Sequence, residues 1–113
     1  MKLPAGQLLD ALPGRSDAEA FQTLITSGQT RIERIVSYGH ASAPGDWYDQ
    51  SWDEFVLVVS GAAVLQVEGE GERELVPGSW IYLPRRTRHR VVSTDPHQPT
   101  VWLAVHVGEP VGG

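Results

Sequence analysis

Apolar positions along the chain fall into short runs, each closed by Gly, Pro or a polar turn. Phe21 to Thr26 is mostly β-branched or aromatic and ends at Ser27-Gly28. Arg31 to Tyr38 carries Ile32, Ile35 and Val36 and stops at Gly39. Glu54 to Ser60 is rich in valine and stops at Gly61; Ala62 to Glu68 follows and turns through Gly69-Glu70-Gly71 into Glu72 to Val76. Pro77-Gly78 is a turn dipeptide, and Trp80 to Leu83 is halted by Pro84. Val91 to Thr94 and Thr100 to Val107 complete the set, parted by Asp95-Pro96 and Pro99. About eight short strands, spaced at roughly 8 to 12 residues with turn signals between them, predict an all-β sandwich or barrel.

Ahead of the strands the pattern predicts helix. Ala5 to Leu12 places Leu8, Leu9 and Leu12 on one side until Pro13-Gly14 stops it, and Ser16-Asp17-Ala18-Glu19 fits a capping box leading into Phe21. One domain is expected: residues 1–30 as a helical turn and leading strand packed on the barrel, 31–107 as the barrel, and 108–113 as a frayed tail. Phe55-Val56-Leu57-Val58-Val59 is apolar on both faces. A strand buried on one side alternates, so its outer side needs a cover, and with four tryptophans in the chain a homodimer is expected.

The chain has 113 residues, 41% hydrophobic and 20% charged, an ordinary balance for a protein with a core. A formal net charge of −5 argues against a nucleic-acid partner. No apolar run is long enough to span a bilayer and no signal peptide is recognisable, so a cytoplasmic, membrane-free protein is expected. With no cysteine, disulfides, Cys-ligated zinc and thiol nucleophiles are excluded.

Two segments carry a resemblance. Glu54 is followed by six residues and Gly61; Gly78 is followed by five residues and Pro84, and then by His89. This resembles the paired motifs of the cupin superfamily, G-x5-H-x-H-x3 or 4-E-x6-G and G-x5-P-x-G-x2-H-x3-N, over roughly residues 31 to 107. Trp47-Tyr48-Asp49-Gln50 and Thr87-Arg88-His89-Arg90 are similar to those of small single-domain bacterial cupins. The resemblance implies a double-stranded β-helix, the jelly-roll barrel of RmlC-like proteins. Four positions depart from the motifs. Tyr48 and Gln50 stand where the first motif has histidines, Arg86 where the second has glycine, and Ser93 where it has asparagine.

The resemblance implies a site at the barrel mouth. Side chains two apart in a strand share a face, so Tyr48, Gln50 and Glu54 are expected to point inward together, with His89 arriving from a distant strand. In cupins such a cluster holds a divalent metal, which makes Tyr48, Gln50, Glu54 and His89 candidate ligands for Zn, Fe, Mn or Ni. Imidazole is a strong donor and an amide oxygen a weak one, so a site without metal stands beside that reading. There Glu54 and His89 form an acid–base pair and Tyr48 donates a proton or hydrogen bond. His106 is a further imidazole if Trp102, Ala104 and His106 face inward. Tyr48, Gln50, Trp47 and Arg88 are the candidate substrate contacts. Arg85 to Arg90 reads either as a clamp for an anionic small molecule or as a solvated loop. Three functions follow: a metal-dependent oxygenase or an isomerase-type enzyme, a non-catalytic binding or sensing module, or a structural barrel with a degenerate site.

Overall fold

In the computed structural model, which describes residues 2–111, eight strands form two antiparallel sheets. They are β1 (Ala20–Ser27), β2 (Thr30–Ser37), β3 (Asp53–Ser60), β4 (Ala63–Val67), β5 (Gly71–Leu75), β6 (Trp80–Leu83), β7 (His89–Thr94) and β8 (Thr100–Val107). One sheet has the order β1-β2-β8-β3-β6 and the other β5-β4-β7. Face to face they make the jelly roll that the turn spacing and the motifs imply. Alternation selects the inward set: Glu54, Val56 and Val58 on β3 are buried, while Phe55 and Leu57 are only partly so. Val56, Val58, Ala63, Leu65, Val67, Leu75, Leu83 and Trp102 form the core. Each larger aliphatic side chain among them contributes about 1.5–3 kcal/mol through burial.

The doubly apolar strand finds part of its outer cover within the chain. Phe55 stacks on Trp80 of the neighbouring β6 at 5.6 Å, leaving Trp80 61% exposed. Among the described residues no helix is long and apolar enough to cross a membrane.

The expected N-terminal helix is absent. A single turn, Asp10 N–H to Gln7 O, is all that forms in residues 5–12, and residues 16–19 lead directly into β1. An isolated helix this short does not repay its nucleation, and here its carbonyls have another partner. The buried Arg34 guanidinium donates to the carbonyls of Leu8, Asp10 and Ala11. The segment is a strap over the outer face of β2. At the other end, Gly108 and Glu109 donate to Gln29 O, and Glu109 pairs with Arg31, so the chain is anchored through Glu109 instead of fraying from 108. Residues 112 and 113 of the expected tail lie outside the described residues.

Two positions of positive φ explain one motif match and one departure. Gly61 makes the turn from β3 into β4 at φ 84°, and a Cβ there would stand 2.6 Å from Thr100 Cα and 2.7 Å from Pro99 O. Arg86 sits at φ 63°, the left-handed conformation that a glycine adopts freely and other residues enter at a cost of about 1–2 kcal/mol. Its N–H donates to Gln50 O at 2.7 Å, which holds the turn and ties the mouth together.

These positions predict opposite outcomes. Gly61→Ala should lose at least about 2 kcal/mol of stability, combining a backbone clash with strain. Arg86→Gly should lose none and gain up to about 1 kcal/mol. Urea unfolding of both variants checks this; equal destabilisation would show that backbone conformation is not what distinguishes the two positions.

Candidate functional site

The site is assembled by a crossing segment. After β2 the chain runs along β7 before entering β3. Ser42 N–H donates to Val91 O at 2.8 Å, and Tyr48 and His89 exchange both backbone hydrogen bonds at 2.7 and 3.1 Å. Tyr48 therefore lies over His89, their rings stacked at 5.4 Å. Bends at Ser51 and Trp52 interrupt the strand pattern, yet Tyr48, Gln50 and Glu54 line one cavity together with His89. Its volume is about 100 Å³. That is well below the roughly 300–1,000 Å³ of sites enclosing a drug-sized ligand, so the enclosed part of a ligand is a few heavy atoms. Val56, Leu65, Leu83 and Trp102 supply apolar wall, and Phe21 and Tyr48 stand at the open end.

Two histidines face this space, each held by a partner of fixed polarity. His89 is 6% exposed, and its Nδ1 lies 2.8 Å from the Thr87 carbonyl. A carbonyl only accepts, so Nδ1 carries a proton, and the ring's other nitrogen, Nε2, is the one that turns to the cavity. That nitrogen lies 3.9 Å from Glu54 Oε1, outside hydrogen-bond range. Glu54 Oε1 itself receives the Gln50 amide N–H at 3.1 Å. His106 is the reverse case. The Trp52 indole N–H, which only donates, lies 2.9 Å from its Nδ1; Nε2 therefore carries the proton and donates to Glu33 Oε1 at 2.8 Å. Glu33 Oε2 receives Arg31. Glu33, His106 and Glu54 occupy three adjacent strands, β2, β8 and β3, on their inward face.

Electrostatics follow from this arrangement. Burial pushes the Glu33 carboxyl up, but hydrogen bonds from His106 and Arg31 outweigh it and hold the group below its ordinary value, as a carboxylate. Burial, then the negative charges of Glu19 and Glu54, push the Tyr48 phenol above its ordinary value. Tyr48 is thus a protonated donor. The remaining polar wall is Glu19, which accepts from Ser37 Oγ, itself an acceptor for the Trp102 indole N–H.

Trp47 and Arg88 form no part of the cavity wall. The Arg88 guanidinium lies over the Trp47 ring at 5.4 Å and pairs with Glu68. The rest of the basic run is also turned outward and engaged: Arg85 with Asp53, Arg86 with Asp49, Arg90 with Gln66. Each exposed ion pair contributes little by itself, but together they leave no arginine as a clamp at the mouth. Glu33 and Glu19 were not among the sequence candidates. The one signal for Glu33 was a carboxylate amid the apolar positions of its strand, where alternation puts it on the face of Ile35. Glu19 had none, being read as a helix cap.

The donor set does not fit the metal that the resemblance implies. Among the described residues no three His, Asp or Glu side chains are placed to hold an ion. Both His106 nitrogens are occupied, Tyr48 holds its proton, and Gln50 turns its N–H toward Glu54. Of the four residues the resemblance assigns, that leaves His89 Nε2 and the Glu54 carboxylate, against three protein ligands at a typical catalytic zinc.

The fold and the paired motifs define a class, and comparison with known proteins agrees. A family model for the cupin domain matches residues 35–106. The chain belongs to the cupin family. A crystal structure from Ralstonia eutropha JMP134, provisionally named a mannose-6-phosphate isomerase, is 47% identical, with TM-score 0.89 over 91% of this chain and 96% of that one. An RmlC-like cupin from Desulfovibrio desulfuricans is 13% identical, with TM-score 0.78 over 96% and 100% of the two chains. The polyketide cyclase RemF from Streptomyces resistomycificus is 22% identical, with TM-score 0.69 over 82% and 67%. The last two are likenesses of fold. No curated protein matches the chain.

Because the Glu33 pKa is lower folded than unfolded, its contribution to stability is fully present above the ordinary carboxylate range and is lost as pH falls through the folded value. Glu33→Gln should lower stability near pH 7 by about 1–3 kcal/mol and flatten the acid limb. Urea melts between pH 7 and 3 read both, and an acid limb of unchanged steepness would show that Glu33 does not contribute to it.

Proposed function

We propose that this cupin binds one small organic molecule in the barrel cavity and moves a proton on it, with His89 as base, Glu54 beside it and Tyr48 as hydrogen-bond donor. The observation that carries this is the His89 ring. Thr87 accepts from Nδ1, so Nε2, which no side chain engages in a hydrogen bond among the described residues, opens onto the cavity. A base needs that arrangement, and a histidine serving only to fill the core has no use for it. Glu54 stabilises the imidazolium that forms when the proton is taken. The name of the 47%-identical protein points the same way, since isomerisation is a relocation of protons. The chemistry uses this chain's own side chains and routes no step through a metal. A binding module without turnover is the second reading, favoured by the narrowness of the cavity.

The outward face of β3 and β6, where Phe55 and Trp80 stack, is proposed as the homodimer surface. Sedimentation at micromolar concentration should show a dimer that Trp80→Glu dissociates; a monomeric parent protein removes this part of the reading.

For the site, small carbonyl compounds are incubated with the protein in deuterated buffer and followed by NMR. Proton exchange at the carbon beside the carbonyl should be catalysed, survive chelator, and fall about 10²–10⁴-fold in His89→Asn. Exchange abolished by chelator, or unaffected in His89→Asn, would defeat the assignment. Binding without exchange would leave the second reading in its place.

A further inference from the structure

The hydrogen-bonding capacity left open in the cavity is lopsided. Among the described residues no side chain makes a hydrogen bond to His89 Nε2, its Nδ1 being taken by Thr87 O. Glu54, 7% exposed, accepts from Gln50 on one oxygen, and among the described residues no side chain donates to the other. Glu19 accepts from Ser37 on one oxygen only. On the donor side stand the Tyr48 hydroxyl and the second N–H of Gln50. The charges are lopsided too. Glu19, Glu33 and Glu54 all line the space, and no lysine or arginine does. Arg31 neutralises Glu33, and every arginine from Arg85 to Arg90 is engaged outside the wall. The rest of the wall is aromatic and aliphatic, with Phe21, Tyr48 and Trp102 presenting rings.

We propose that the ligand presents a small cationic nitrogen, an alkylammonium group, to Glu54 in the field of Glu19, leaving His89 free, with its hydrocarbon part against Trp102, Leu65 and Val56. An ammonium brings three donors and no acceptor, matching the open acceptors. Its charge meets carboxylates without a basic counterpart, and aromatic faces add cation–π attraction. A phosphate or carboxylate meets the opposite: no cation to pair with, and carboxylates that repel it. This inference rests on the cavity being the ligand site, but it does not require turnover. The provisional name of the 47%-identical protein therefore does not carry its phosphorylated substrate over to this chain.

Calorimetry with three probes of one shape, isobutylamine, isobutanol and isobutyrate, at pH 7.5 in the presence of chelator, tests it. Isobutylamine should bind about tenfold or more tightly than isobutanol, a difference of about 1.4 kcal/mol, and isobutyrate and mannose 6-phosphate should not bind measurably. Glu54→Gln should remove the preference for the amine while leaving isobutanol binding in place. Glu19→Gln, at a half-exposed position, should reduce the preference and remains usable if the buried variant fails to fold. The proposal is overturned if isobutyrate or mannose 6-phosphate binds as well as the amine, if no probe binds at millimolar concentration, or if amine binding appears only after a divalent metal is added. Amine binding together with absent deuterium exchange would remove the proton-transfer reading and leave this one standing.

Discussion

Most polar side chains that enter this barrel meet a partner of complementary polarity. Burying an unpaired hydroxyl, amide or imidazole costs a few kcal/mol, so the interior end of the sheet is a chain of matched groups. Trp52 gives a proton to His106, His106 gives one to Glu33, and Glu33 accepts from Arg31. Trp102 gives to Ser37, and Ser37 to Glu19. Where the matching stops, at His89 Nε2 and the free oxygens of Glu54 and Glu19, the cavity begins. The site is thus defined less by which residues are polar than by which retain capacity after their neighbours have been satisfied.

The same bookkeeping separates the two histidines, which composition cannot do. Both are buried and both stand beside a glutamate. Trp52 closes one of them and leaves it a fixed hydrogen-bonding element that keeps Glu33 ionised. Thr87 turns the other so that its basic nitrogen is open. Tyr48 and Gln50, in the places where cupin motifs carry metal-binding histidines, line the same cavity. A phenol and an amide there replace two strong metal donors with one hydrogen-bond donor and one weak ligand.

The family spacing has a mechanical meaning here. Glu54 lies at the start of β3 and Gly61 just beyond its end, the glycine because Thr100 and Pro99 leave no room for a Cβ. Gly78 and Pro84 bracket β6, and the turn after it keeps its left-handed residue even though Arg86 replaces glycine. That turn brings Arg86 N–H to Gln50 O and so joins the two motif segments, which lie far apart in the chain, at the rim of the cavity.

Strand positions, turns and the inward pointing of Glu54 were legible in the sequence, because alternation and Gly or Pro punctuation act over a few residues; the sequence leaves open which face of β8 turns inward. The convergence of Glu54 and His89 was legible through motif spacing. The N-terminal helix was misread, because short-range helical signals say nothing about Arg34, a distant side chain that takes the carbonyls a helix would use. The partners of Glu33, His106 and the basic run were equally invisible. They lie tens of residues away, and hydrogen-bond polarity is settled only when strands from opposite ends of the chain meet. By itself the sequence determined where the backbone extends and turns; tertiary structure alone decided which polar atoms remained unmatched, because that depends on neighbours brought together by folding.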